Sequence, residues 1–191
     1  MKIVFATHNQ NKLKELQQII PEHIELVSLT DIGCDEEIVE DGKTIEENAA
    51  IKARYVYEKY GLVCFADDTG LCVDALNGEP GVLSARYAGP QKNANDNTQK
   101  LLNKLKDKSS RSAFFKTVIV YKSKTTEKYF TGICKGEILK APSGSKGFGY
   151  DPVFRPLNYE HSFAEMSSTK KNKISHRGLA TQKLLQFLKG L

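Results

Sequence analysis

Leu62-Val63-Cys64-Phe65-Ala66-Asp67-Asp68-Thr69-Gly70-Leu71 sets five apolar residues directly against two adjacent carboxylates, a small hydroxyl and a glycine. An apolar run bounded in this way predicts a strand buried on both faces. Asp67 and Asp68 then fall where the strand emerges, at the carboxyl end of a sheet, where open α/β sheets bind ligands. Neighbouring carboxylates repel, which raises the pKa of one of them unless a cation lies near. Hard oxygen donors of this kind suit Mg²⁺, with substrate phosphates completing its shell. Asp-Thr-Gly chemistry also makes ordinary turns, so the rest of the chain has to decide.

Upstream, Lys2-Ile3-Val4-Phe5-Ala6 reads as a first strand, and Leu13, Leu16, Ile19 and Ile20 recur at helical spacing before Pro21. Thr7-His8-Asn9-Gln10-Asn11-Lys12 is therefore a polar turn leading into a helix N-terminus. Backbone N–H groups and the helix dipole favour an anion there, and Lys12 adds a full positive charge. Thr7, Asn9 and Asn11 serve equally well as helix caps, and no P-loop pattern is present. Residues 24–29 read as a second strand. An acidic loop follows over 31–43, carrying Asp31, Asp35, Glu36, Glu37, Glu40 and Asp41. Most of these carboxylates are expected to face solvent, with one or two available to a metal.

Thr44-Ile45-Glu46-Glu47 has the form of a capping box. The helix behind it buries Ala49, Ala53, Val56, Tyr57 and Tyr60 and stops at Gly61. Asn48, Lys52 and Tyr55 form a separate polar stripe, in which Lys52 either faces solvent or points into a phosphate site.

Downstream, residues 71–76 continue as strand or turn, and 77–90 form a loop punctuated by glycine and proline. A helix is expected around 96–106 on Leu101, Leu102 and Leu105. Strands over 112–121 and 127–139, joined through Lys122-Ser123-Lys124-Thr125, suggest a hairpin in the antiparallel part of a mixed sheet. Pro142-Ser143-Gly144-Ser145-Lys146-Gly147-Phe148-Gly149-Tyr150-Asp151-Pro152 combines glycines, which let backbone approach a ligand, with rings that can stack a base. Finally, Lys170, Lys171, Lys173, His176 and Arg177 precede a helix with Ala180, Leu184, Leu185 and Leu188 on its core stripe.

A chain of 191 residues with 40% hydrophobic content can bury one real core, so a single domain over 1–191 is expected. No apolar run approaches transmembrane length, and Met1-Lys2 leads straight into a strand, which makes cytoplasm the default and a membrane partner unexpected. Cys34, Cys64, Cys72 and Cys134 lack metal-type spacing and read as reduced core residues. The net charge of +5 favours anionic partners, nucleic acid or small phosphates. The carboxylates at 31–41 and 67–68 argue against a continuous polyanion track, so a nucleic-acid-binding module stacking bases on Phe148 and Tyr150 is the weaker reading.

Several motifs occur in one order along the chain. They are Ala6-Thr7-x-Asn9-x-x-Lys12, Glu47-Asn48-Ala49, Phe65-Ala66-Asp67-Asp68-Thr69-Gly70, Pro80-Gly81 and Ser84-Ala85-Arg86-Tyr87. Gly147-Phe148-Gly149-Tyr150-Asp151-Pro152 and Ile174-Ser175-His176-Arg177-Gly178 follow. Together they strongly resemble the inosine triphosphate pyrophosphatase family, the noncanonical purine NTP (dITP/XTP) pyrophosphatases, over essentially the whole chain. The resemblance implies a homodimeric α/β protein with a long, curved mixed sheet flanked by helices, and two lobes around a central cleft. It implies Mg²⁺-dependent hydrolysis of dITP, ITP or XTP to the monophosphate and pyrophosphate, cleansing the nucleotide pool. A Maf-like pyrophosphatase acting on other modified nucleotides is the neighbouring alternative.

Position by position, the resemblance makes Thr7, Asn9 and Lys12, with His8, Gln10 and Asn11 in the same turn, ligands of the triphosphate. Lys52 becomes a phosphate-facing lysine. Glu40 and Asp68 become metal ligands, Asp68 also the base, with Thr69 beside it in place of the family's more frequent serine. Phe148, Gly149, Tyr150 and Asp151 become the base-binding loop, and Lys171, His176 and Arg177 hold the base edge and a nearby phosphate.

Overall fold

The computed structural model describes residues 1–190. In chain order the elements are β1 (Lys2–Phe5), α1 (Gln10–Gln17), β2 (Glu25–Val27), α2 (Ile45–Tyr60), β3 (Cys64–Val73) and β4 (Pro80–Gly81). Then come α3 (Ala94–Lys104), β5 (Ser112–Lys122), β6 (Glu127–Ile138), β7 (Phe154–Pro156), α4 (Ser168–Ile174) and α5 (His176–Leu188). Among the described residues the strands form one seven-stranded sheet in the order β2-β1-β3-β5-β6-β7, with β4 paired to β3. β1 runs parallel to β2 and to β3, whereas β3–β4 and β6–β7 are antiparallel. The sheet is mixed and flanked by helices, as expected.

The central strand departs from its sequence reading. It begins at Cys64, because Leu62 and Val63 are 40% and 37% exposed, and it runs on through both aspartates to Val73. Asp67 and Asp68 thus lie inside β3, and strand alternation sends them to opposite faces. The parallel ladder of β1 on β3 nevertheless stops at Phe5↔Phe65. The doublet therefore projects just past the carboxyl edge of the parallel strands, which is the position that matters for ligands.

Backbone contacts divide the chain into two compact units, and β3, β5 and β6 each contribute to both. The first unit comprises Met1–Asp68, Thr117–Gly132 and the chain from Arg177. Its core gathers Ile3, Phe5, Leu16, Phe65, Ile119, Tyr121, Phe130, Ala180 and Leu184, with Phe5 stacked on Phe65 at 4.8 Å. The second comprises Thr69–Lys116 and Ile133–His176, packed on Leu71, Val73, Leu101, Leu105, Phe115, Phe154 and Phe163.

Helix boundaries follow local chemistry. The α2 capping box is complete, with Thr44 and Glu47 bonded reciprocally, and the helix ends at Gly61. In α1 the apolar spacing extends to Ile20, yet the helix stops at Gln17 and Ile19 and Ile20 close a turn onto Leu16. The basic stretch near the C-terminus, expected to precede a helix, is itself helical. Lys170, Lys171 and Lys173 lie on α4, capped by Ser167, and His176 and Arg177 open α5.

Candidate active site

In the first unit, the polar turn after β1 is shaped by its own side chains. The Asn9 side chain accepts from the N–H groups of Asn11 and Lys12, and Thr7 Oγ1 accepts from Asn9 N–H. Of the two roles open to Asn9, helix capping is the one the geometry displays. Gln10 and Asn11 are exposed on the first turn of α1, and His8 Nε2 lies 3.0 Å from the Glu36 carbonyl oxygen.

Lys12 turns inward. Its Nζ donates to Asp67 Oδ1 at 2.8 Å, and Arg177 Nε donates to Asp67 Oδ2 at 3.1 Å. The same guanidinium reaches Glu15 through Nη1. Asp67 is fully buried, and burial by itself pushes its pKa up; Lys12 and Arg177 more than reverse that and hold the carboxyl well below the ordinary carboxylate range. For Lys12, burial pushes the ammonium pKa down, Asp67 opposes this, and Lys52 and Arg177 add to the lowering. The repulsion expected between two adjacent carboxylates is offset by nearby cations, Lys12 and Arg177 on Asp67 and Lys52 beside Asp68.

Asp68 meets the third cation. Lys52 Nζ lies 2.7 Å from Glu40 Oε2 and 3.9 Å from Asp68 Oδ1, and Lys52 is only 7% exposed. Its solvated reading is thereby excluded. Two carboxylates on different segments thus converge on one positive charge, in an arrangement of hard oxygen donors that fits a divalent cation of the Mg²⁺ type. Among the described residues no three His, Cys, Asp or Glu side chains gather as a metal site. A pair of carboxylates with substrate phosphates is the usual partial shell for Mg²⁺.

In the second unit, the glycine-rich loop is organised by Asp151. Its Oδ2 accepts from Phe148 N–H at 2.9 Å and from Lys171 Nζ at 2.6 Å. Lys171 Nζ also sits 5.3 Å from the Phe148 ring centroid and 5.5 Å from that of Phe163. Gly147 has φ +74°, and a Cβ there would lie 2.0 Å from Asp151 Oδ2, so both the turn and the carboxylate's position require glycine. His176 is 4% exposed and stacks on Phe115 at 4.4 Å, with Phe163 at 6.1 Å. Phe163 is thus a common neighbour of Lys171 and His176.

One candidate ring moves out of the set of stacking faces. Tyr150 is 5% exposed within the core, and its hydroxyl donates to the Ser84 carbonyl. Burial pushes its phenol pKa up. Phe148 and Gly149 are half-buried in the loop, and Thr69 is half-buried next to Asp68 in β3.

The structure therefore brings Lys12, Glu40, Lys52, Asp68 and Arg177 into one unit and Phe148, Asp151, Lys171 and His176 into the other. Sequence reasoning missed Glu15 as a partner of Arg177. Its signal was present, since Lys12 and Glu15 stand three apart on α1 and share a face. It also passed over Glu36, whose carboxylate accepts from the Tyr55, Lys59 and Tyr60 side chains.

A mixed-sheet α/β protein with buried lysines facing paired carboxylates belongs to a class equipped to handle phosphate and a hard metal ion. More narrowly, the chain belongs to the Ham1 family, whose profile matches residues 3–187. A dITP/XTP pyrophosphatase of Christiangramia forsetii is 58% identical over 188 residues, covering 98% of this chain and 99% of that one. One of Flavobacterium psychrophilum is 55% identical over 189 residues, covering 99% and 100%. The solved Ham1 protein of Staphylococcus aureus superposes with a TM-score of 0.91 at 39% identity, covering 100% of this chain and 99% of that chain. These findings bear out the resemblance read from the motifs.

Proposed function

We propose that this protein is a nucleoside-triphosphate pyrophosphatase that hydrolyses dITP, ITP and XTP to the monophosphate and pyrophosphate. Full-length similarity to proteins named dITP/XTP pyrophosphatase supports this reading. The observation that carries it is the Lys52 ammonium set between Glu40 and Asp68, with Lys12 buried nearby on Asp67.

The reaction requires a water in line with the pyrophosphate leaving group at the α-phosphorus, and it depends on positioning and charge neutralisation. Asp68 orients that water and accepts its proton as the new P–O bond forms. Lys12 and Lys52, with the N-terminal turn of α1 from Thr7 through His8, Gln10 and Asn11, take the charge of the phosphates as the α–β anhydride bond breaks. Glu40 and Asp68 would hold Mg²⁺, which supplies further charge neutralisation when bound.

In the second unit, Phe148, Gly149, Asp151, Lys171 and His176 receive the purine. A donor aimed at the 6-keto oxygen rejects adenine, whose amino group leaves that donor unpaired at a cost of about 1–3 kcal/mol. Among the described residues no helix is long and apolar enough to cross a membrane. A cytoplasmic homodimer is the setting and assembly proposed, by the family resemblance.

Incubation of the purified protein with ITP and Mg²⁺ tests the reading. IMP and pyrophosphate are the expected first products. IDP and orthophosphate would overturn the assignment.

A further inference from the structure

The polar stripe of α2 does more than present Lys52. Asn48, Lys52, Tyr55 and Lys59 are spaced four, three and four apart, so they share one face of the helix. Each grips the acidic loop, and the loop is met in reverse order. Asn48 Oδ1 accepts from Gly42 N–H at 2.8 Å, and Lys52 Nζ donates to Glu40 Oε2 at 2.7 Å. Tyr55 Oη donates to Glu36 Oε1 at 2.6 Å, and Lys59 Nζ donates to the same oxygen. On the backbone side, His8 Nε2 lies 3.0 Å from the Glu36 carbonyl. Residues 36–42 are thus laid antiparallel along the helix and fastened at both ends, with Glu40 between the fastenings.

The upper fastening leaves no play. Asn48 is 1% exposed, and a Cβ on Gly42 would lie 2.6 Å from Asn48 Oδ1 and 2.7 Å from Glu47 Cβ. The lower one is different. Glu36 and Lys59 are 40% and 47% exposed, and an ion pair of that kind adds little to stability. Three hydroxyl or ammonium donors from one helix, Tyr60 included, nevertheless converge on a single carboxylate oxygen. Such convergence on one charged acceptor adds geometric specificity as well as energy, and so fixes direction and register.

We propose that Glu36, Tyr55 and Asn48 are positioning residues for the metal-binding carboxylate Glu40, holding residues 36–42 in the one register along α2 that aims Glu40 at the Lys52–Asp68 side of the unit. This rests on the reading of Glu40 as a metal ligand. Outer residues of this kind act by orienting ligands that touch the ion, and their loss costs metal affinity.

The test uses Tyr55→Phe, which removes one hydroxyl, and Glu36→Gln, with Asn48→Ala at the other fastening. Mn²⁺ is titrated into the nucleotide-free protein by isothermal calorimetry, and the Mg²⁺ dependence of ITP turnover is measured in parallel. Each variant is expected to bind Mn²⁺ about tenfold more weakly and to need correspondingly more Mg²⁺ for half-maximal rate, with kcat recovered at saturating Mg²⁺. A variant that loses thermal stability but keeps the unsubstituted Mn²⁺ affinity overturns the proposal, as does an unsubstituted chain that binds no Mn²⁺. If Glu36→Gln fails to fold, Tyr55→Phe decides. Failure of the pyrophosphatase reading is separately visible as no pyrophosphate from the unsubstituted protein, while the Mn²⁺ titrations still judge the positioning role.

Discussion

Lys12 Nζ lies 2.8 Å from Asp67 Oδ1, a bond between residues 55 positions apart that joins the first turn of α1 to the middle of β3. Arg177 closes on the other oxygen of the same carboxylate. Asp67 is therefore the fixed counter-charge that allows two cations to stay buried in the first unit.

Asp67→Asn should cost about 3–5 kcal/mol in urea denaturation at neutral pH, because it strands buried positive charge. The pH dependence has a definite sign. The folded pKa of Asp67 is depressed below its ordinary value of 3.8, so its contribution is complete above that value and is lost as pH falls further. The acid limb of the stability profile below about pH 4 should be shallower in the variant. A loss under about 1 kcal/mol, as for exposed pairs, would show the cluster to be solvated.

Asp68→Asn should fold normally, since the change is nearly isosteric in a strand that remains intact. With ITP and Mg²⁺ it should lose about 100-fold or more in turnover, chiefly in kcat, as expected for a group acting on the transition state. A folded variant with near-normal kcat would remove Asp68 from the chemistry.

Gly147→Ala and Gly149→Ala separate backbone strain from loss of the loop's anchor. Both positions have positive φ, +74° and +62°, but only at Gly147 does an added Cβ meet Asp151, at 2.0 Å; at Gly149 nothing lies within 4 Å. Both should cost about 1–3 kcal/mol of stability. Gly147→Ala alone should raise the KM for ITP severalfold by moving Asp151 off Lys171 and Phe148. Equal KM effects would deny Asp151 that anchoring role.

Arg177→Lys keeps the charge but not the fork that spans Asp67 and Glu15. Thermal stability should fall. If the guanidinium also reads the 6-keto oxygen, kcat/KM should fall more for ITP than for ATP, and the ratio between them should narrow. An unchanged ratio would confine Arg177 to holding Asp67 and leave His176 as the candidate base reader.

Much of the fold was readable in order along the chain because it rests on local signals. Alternation and apolar runs mark the strands, Thr44 and Glu47 cap α2, and 3.6-residue spacing places Leu101 and Leu184 in cores. The motif order also indicated the family. Partnership was not readable, since it depends on approaches between residues distant in sequence. Only the tertiary structure assigns Lys12 and Arg177 to Asp67, and Lys52 to Glu40 and Asp68. The same reason explains Tyr150, which has the composition of a stacking ring but lies in the core because its hydroxyl finds the Ser84 carbonyl 66 positions away. The sequence by itself determined which side chains carry charge and the order and type of most strands and helices, although β3 starts later than its apolar run. Which charges neutralise one another was decided by folding, because a buried ion is tolerable only where long-range packing brings its counter-ion within bonding distance.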